Sequence, residues 1–369
     1  MKKFINNLCG LCFLCVLCAA CKGDYDDWAS PQSNEQEKAA DVQMTVNVLA
    51  PSATIKLDDF AEADKVQVFV PVKVESNVES KYIVTLSDDQ KHSREFDATT
   101  DGYISREELA KMIIDFYGKK QVEHVMNGVF SAVYEKDGAI LKVSSDPFIV
   151  RILPAVPDIN YWIYGKQNQL NNKEKVMPLM PESKERQMVT TYFTGKRDTK
   201  LWSDDTFGDL SQLFGATGGD KATISAEFSA GGGYICPPSE GWYTLTFSFV
   251  TYTYNFTKLE DQNPVEYESI SLIGDFNNWE ADEQMTQVAT TGNKWKSHCW
   301  YLLGFNQESD GAVKLRANAA WDVSWGGTQN VKDKPYGVAK QVNDNLTLPA
   351  GTYDIYFNDI TGEFLFIIQ

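Results

Sequence analysis

Five tryptophans, Trp279, Trp295, Trp300, Trp321 and Trp325, fall within 47 residues near the C-terminus, out of 9 in the whole chain. A β module of about 100 residues absorbs roughly one or two such side chains in its core, so part of this set is expected at the surface. An exposed indole has a defined chemistry. Its flat apolar face accepts the C–H face of a sugar ring, whose rim hydroxyls then need polar partners. Such partners stand in Lys314-Leu315-Arg316-Ala317-Asn318, where strand alternation puts Lys314, Arg316 and Asn318 on one face. An arginine fork donates two parallel hydrogen bonds to vicinal hydroxyls, and asparagine both donates and accepts. Upstream, the turn-forming Asp275, Asn277 and Asn278 would lift Trp279 off the end of a strand. The expectation is an angled stacking surface of Trp279 and Trp321, with Arg316, Lys314 and Asn318 bonding hydroxyls and Trp325 as a third stacking candidate. The same residues admit packing roles. Trp325-Gly326-Gly327 could close a tight turn over Trp321, Arg316 could pair with an acid such as Asp322, and Trp279 could cover the mouth of a core.

Other chemistries have weaker support. The chain holds 3 histidines, His92, His124 and His298, far apart in sequence, and no Gly-x-Ser-x-Gly nucleophile motif. A glycoside hydrolase would need two carboxylates about 5 to 10 Å apart in a cleft, whereas the acids here scatter through loops. No enzyme activity and no cofactor are expected. Asp97 to Glu108 places acids at positions 1, 5 and 12 and a glycine at position 6 of a calcium loop, but Thr99 weakens the ligand set. A strand-to-helix connection is the favoured reading there, because the preceding segment reads as strand and turn. No bound metal is expected.

The elements that must position the tryptophans are strands. With 43% hydrophobic and 23% charged residues the chain is a folded globular one. A net charge of -17 repels phosphate backbones, so nucleic acid is not an expected partner. Lys2 and Lys3 precede an apolar run, Leu8 to Ala20, shaped like the core of a secretory signal peptide. Leu17-Cys18-Ala19-Ala20-Cys21 is similar to a bacterial lipobox, which makes Cys21 the expected lipidation site; the cysteine spacing before it is read as leader. The remaining cysteines, Cys236 and Cys299, are expected as buried free thiols.

From residue 41 to 156, short alternating strands surround one helix, which Ser105 and Glu108 start as a capping box. Beyond it the sequence repeats. Gly241-Trp242-Tyr243-Thr244-Leu245-Thr246-Phe247 matches Gly351-Thr352-Tyr353-Asp354-Ile355-Tyr356-Phe357 at an offset of 110, and Trp162 to Gly165 matches Ser271 to Gly274 at 109. The expected fold is all-β: an N-terminal immunoglobulin-like sandwich followed by two tandem β-sandwich carbohydrate-binding-like modules. The expected division is a signal peptide at 1–20, a flexible acidic tether at 21–40, the immunoglobulin-like domain at 41–156, a first module at 157–265 and a second, glycan-binding one at 266–369.

Gly274-Asp275-Phe276-Asn277-Asn278-Trp279 is similar to the motif of glycogen- and starch-binding modules. Together with the lipobox, the acidic tether and the order of the β modules, it makes the chain resemble the SusE/SusF family, surface lipoproteins of starch-utilisation systems in Bacteroidetes. The resemblance implies a non-catalytic glycan-binding protein, lipid-anchored at the outer membrane and facing outward. It implies a polysaccharide or oligosaccharide partner, α-glucan being favoured, beside a TonB-dependent transporter and companion surface lipoproteins. A structural or adhesion lipoprotein that contacts other surface proteins is the alternative. In the first module Leu170 stands where the second has Trp279, and Trp202 with Asp204 and Asp205 replaces the Arg316 to Trp321 pattern, so its site is expected to be lost or altered.

Overall fold

The structure, a computed structural model, describes residues 42–165, 176–290 and 295–369. The leader, Cys21, the tether and Leu170 lie outside the described residues. The rest is an all-β chain of several sandwich-like sheets, as the strand periodicity predicts. In the leading part a six-stranded sheet is built around the long strand His124–Lys136, which pairs with Lys81–Ser87 on one side and Phe148–Leu153 on the other. Its inward row includes Val84, Leu86, Phe130 and Val150, which pack on the helix Arg106–Tyr117 through Leu109, Met112 and Ile113. Ser105 caps that helix as expected, its Oγ accepting from the N–H of Glu108 at 3.3 Å. The alternating run Val66-Gln67-Val68-Phe69-Val70 does not form one strand but is divided between Lys65–Gln67 and Val70–Ser76. The reason is a close approach: Gly102, at φ 88°, lies so near Phe69 that a Cβ there would fall 2.1 Å from the Phe69 carbonyl oxygen. The calcium-like loop is entered by the strand Ser93–Asp97, where a calcium loop requires a helix.

The middle part is one eight-stranded sheet folded over on itself. The fold occurs within Ser225–Ala230, whose first half pairs with Thr253–Lys258 and whose second half pairs with Phe214–Ala216. The last part is a sandwich of two five-stranded sheets, one centred on Ile270–Gly274 and Gly311–Ala317, the other on Cys299–Gln307, Gly351–Asn358 and Glu363–Ile368. The sequence repeat is structural. Gly241–Ser248 and Gly351–Asn358 each form a hairpin with the strand that follows, and the paired strands Tyr161–Tyr164 and Lys200–Ser203 take the place of Ile270–Gly274 and Gly311–Ala317.

These two parts are not beads on a string. Val288, Cys299, Tyr356 and Leu365 of the last part belong to the same continuous apolar core as Trp162, Trp202 and Phe249 of the middle part. Asn358 Nδ2 donates across the junction to the carbonyl of Thr190 at 2.9 Å. A buried amide donor must find an acceptor, and among the described residues this one finds it in the neighbouring sheet. Cys236 and Cys299 are both free and buried, as expected.

Glu363 begins the final strand 7% exposed, its Oε2 accepting from Thr361 Oγ1 at 2.8 Å. Burial pushes its carboxyl up to about 7, with the Thr361 hydrogen bond opposing and Glu182 adding to the rise. The folded chain therefore retains a proton that the unfolded chain gives up near pH 4.5, and stability from this group falls as pH rises through about 7. Glu363→Gln is expected to remove that slope and raise stability at pH 8 by up to about 3 kcal/mol, read from urea denaturation at pH 5 and pH 8.

Candidate functional site

Two loops carry the surface tryptophans. The first leaves Ile270–Gly274 through the tight turn Asp275–Asn277. Asn277 Oδ1 accepts from the N–H groups of Gly274 and Trp279, and its Nδ2 donates to the carbonyl of Ala281. Asn278 and Trp279 follow at φ 56° and 63°. A left-handed bulky residue is held only where its surroundings over-determine it. Here the hold is Asp275, which accepts from Trp279 Nε1 at 2.7 Å with one oxygen and from the N–H of Ala312 at 2.7 Å with the other. The second loop leaves Gly311–Ala317 through Asn318 and Ala319, again a left-handed pair at φ 54° and 53°. Asn318 Oδ1 accepts from the N–H groups of Glu268 and Ser269, which pins the loop to the segment just before Ile270–Gly274.

The two loops bring Trp279 and Trp321 together. Their ring centroids are 6.0 Å apart and their planes are inclined by 39°. Trp279 is half-buried and Trp321 is 52% exposed. Beneath Trp321 lies Arg316, whose guanidinium carbon is 4.5 Å from the indole centroid. Arg316 is 7% exposed, and its Nε and Nη2 each donate to one oxygen of Asp282 at 2.7 Å. Ser271 Oγ donates to the same carboxylate. Asp282 is held below the usual carboxylate range, first by the Arg316 hydrogen bonds, with burial opposing and Ser271 helping.

The remaining expected residues are placed differently. Lys314 shares the outward row with Arg316 but is 6% exposed, and its ammonium donates to the carbonyl of Val342. Burial lowers its pKa against the pull of Asp344. It ties down a loop instead of presenting a charge to solvent. Asn318 is exposed, with its carbonyl oxygen committed to the backbone. Trp325 is not on the surface: at 4% exposed it packs edge-on against Tyr267 and Phe357 in the core of the sandwich. Its strand, Ser324–Trp325, pairs with Gly311–Ala317, and that register turns the indole inward. Of the other tryptophans, Trp300 is core, and Trp295 lies against Tyr192 of the middle part.

In the middle part the described half of the corresponding surface, around Trp202, is closed. Trp162 and Trp202 pair directly across their strands, where the last part pairs Ser271 with Arg316. Both indoles are buried, their N–H groups donating to Asp204 Oδ1 at 3.1 Å and to the carbonyl of Asp209 at 2.9 Å. Phe207 packs on both rings, at 5.9 and 4.8 Å between centroids. Sequence reasoning missed Asp282 and Phe207. Asp282 stands 34 residues from Arg316, and only the short strand Glu283–Gln284, which pairs with Ser271 and Leu272, brings the two together.

The fold and this surface describe an all-β protein of several sandwich-like sheets that displays a fixed pair of tilted indoles. Its leading part has a recognisable lineage. Residues 21–149 match the family model of the outer membrane protein SusF, N-terminal domain. The match bears out the SusE/SusF-like resemblance over that stretch, and it ends before the parts that carry the tryptophans. No curated protein matches the chain.

Proposed function

We propose that the chain is a non-catalytic glycan-binding lipoprotein of a polysaccharide-utilisation system, held at the outer membrane through Cys21. In this reading residues 21–40 are the tether, 41–156 the immunoglobulin-like spacer, and 157–265 and 266–369 the two β modules, of which the second binds. α-Glucan is the favoured ligand, and the protein works facing outward beside a TonB-dependent transporter and companion surface lipoproteins. The family match at residues 21–149 supports the outer-membrane setting. The observation that carries the binding function is the pair Trp279 and Trp321. Two indoles held 6.0 Å apart and inclined by 39°, with Trp321 half in solvent, offer stacking faces to successive rings of a curved chain. Lipid anchoring makes a weak site useful, because many tethered copies raise the effective concentration on a polymer.

The test is affinity electrophoresis of the protein without its leader on starch, pullulan, xylan and mannan gels. Wild type is expected to be retarded on an α-glucan gel and Trp279→Ala to run freely. Identical migration of the two on every glycan would overturn the reading.

A further inference from the structure

The Ser271, Asp282 and Arg316 cluster sits directly under the stacking surface and has a role that packing alone does not require. The Arg316 guanidinium carbon lies over the Trp321 ring, 4.5 Å from its centroid, while two of its nitrogens are committed to Asp282 at 2.7 Å each. A bidentate arginine-carboxylate pair fixes the guanidinium plane, and a stacked indole takes its orientation from that plane. We propose that Asp282 is the positioning and specificity residue of the Trp279 and Trp321 surface: it fixes the Arg316 plane on which Trp321 rests, and it cancels the Arg316 charge so that the surface selects uncharged sugars over anionic ones. Only the second half rests on the glycan-binding reading.

Both halves follow from the chemistry of the pair. Without the carboxylate, the guanidinium loses its only charged partner among the described residues and leaves an unmatched cation beside two aromatic faces. An arginine fork free to bond is the preferred partner of a carboxylate or sulfate, so anionic glycans would gain a contact that the paired state denies them. The surroundings act the same way. Glu280 and Asp322, each following one of the tryptophans, are exposed and negative, and the net charge of -17 adds a repulsive background for polyanions. Ser271 donates to Asp282 from the adjacent strand, which keeps the carboxylate from following Arg316 if the arginine moves.

The experiment uses the protein without its leader and the variants Asp282→Asn and Arg316→Gln, with Trp321→Ala as reference. Two close indoles couple their excited states, and the coupled signal in far-ultraviolet circular dichroism is read as the difference between wild type and Trp321→Ala. Asp282→Asn is expected to lose about half of that signal or more, to weaken on starch about fivefold, and to become retarded on polygalacturonate gels where wild type is not. Arg316→Gln is expected to lose the coupled signal without gaining polygalacturonate retention, since it removes the cation, and it serves as the second reading if Asp282→Asn does not fold. A coupled signal unchanged in either variant overturns the positioning role. Absence of polygalacturonate retention in folded Asp282→Asn overturns the selectivity role. If wild type binds no neutral glycan the functional reading fails, and the coupled signal, measured without any glycan, still decides the positioning role.

Discussion

Trp321→Ala is expected to lower affinity for an α-glucan gel at least about fivefold while leaving the melting temperature within about 2 °C of wild type. An aromatic stacking face is worth roughly 1–3 kcal/mol per ring by alanine substitution, and about 1.4 kcal/mol is tenfold in affinity. The side chain is 52% exposed, so its removal opens no cavity, and Arg316 keeps both hydrogen bonds to Asp282. Trp325→Ala is the informative contrast. That indole is 4% exposed among Tyr267, Phe357 and the sandwich core, and removing it costs about 3–5 kcal/mol of stability as a buried cavity. Affinity electrophoresis with a thermal melt separates the two: one variant loses binding and stays folded, the other loses stability first. A Trp321→Ala protein with wild-type retardation would remove the stacking surface from consideration.

The difference between these two tryptophans shows what local sequence can and cannot specify. Strand alternation correctly placed Lys314 and Arg316 on one row, because a two-residue period is a property of the backbone, but it does not reach Asn318, which lies past the strand end in a left-handed turn. What faces that row is decided elsewhere. The loop carrying Val342 lies over Lys314, and the turn ending at Asp282 lies over Arg316, so residues that alternation points outward are nonetheless buried. Trp325 was ambiguous for the same reason, since a two-residue strand after a turn has no period to read. Trp279 was legible because its turn is local: Asp275, Asn277 and Asn278 shape it within five residues. The repeat was legible too, while the shared core across it was not. A strand such as Gly351–Asn358 reads the same whether its outward row meets water or the sheet of its neighbour.

That shared junction carries a stability effect of the same size as that of Trp325→Ala, through Asp359. Its Oδ1 bonds His298 Nδ1 at 2.6 Å and its Oδ2 accepts from Trp300 Nε1 at 2.8 Å, with His298 and Asp359 almost wholly out of water. His298 in turn meets the ring of Trp242, from the middle part, edge-on at 5.0 Å. Asp359→Ala removes the acceptor for two buried donors at once, and breaking such a buried pair costs about 3–5 kcal/mol, because the stranded groups have no water to turn to. At roughly 2–4 °C per kcal/mol for a unit of this size, the melting temperature should fall by about 10 °C. Asp359→Asn, nearly the same shape, keeps one acceptor and should fall between. Because the middle and last parts share one core, the loss should appear as a single shifted transition and not as early melting of the last part alone. Scanning calorimetry distinguishes these outcomes. Two separated transitions in Asp359→Ala would mean that the junction does not bind the two β regions into one cooperative unit. In that case the stacking surface would hang from an independently melting module, free to reorient on its neighbour while bound to a polymer.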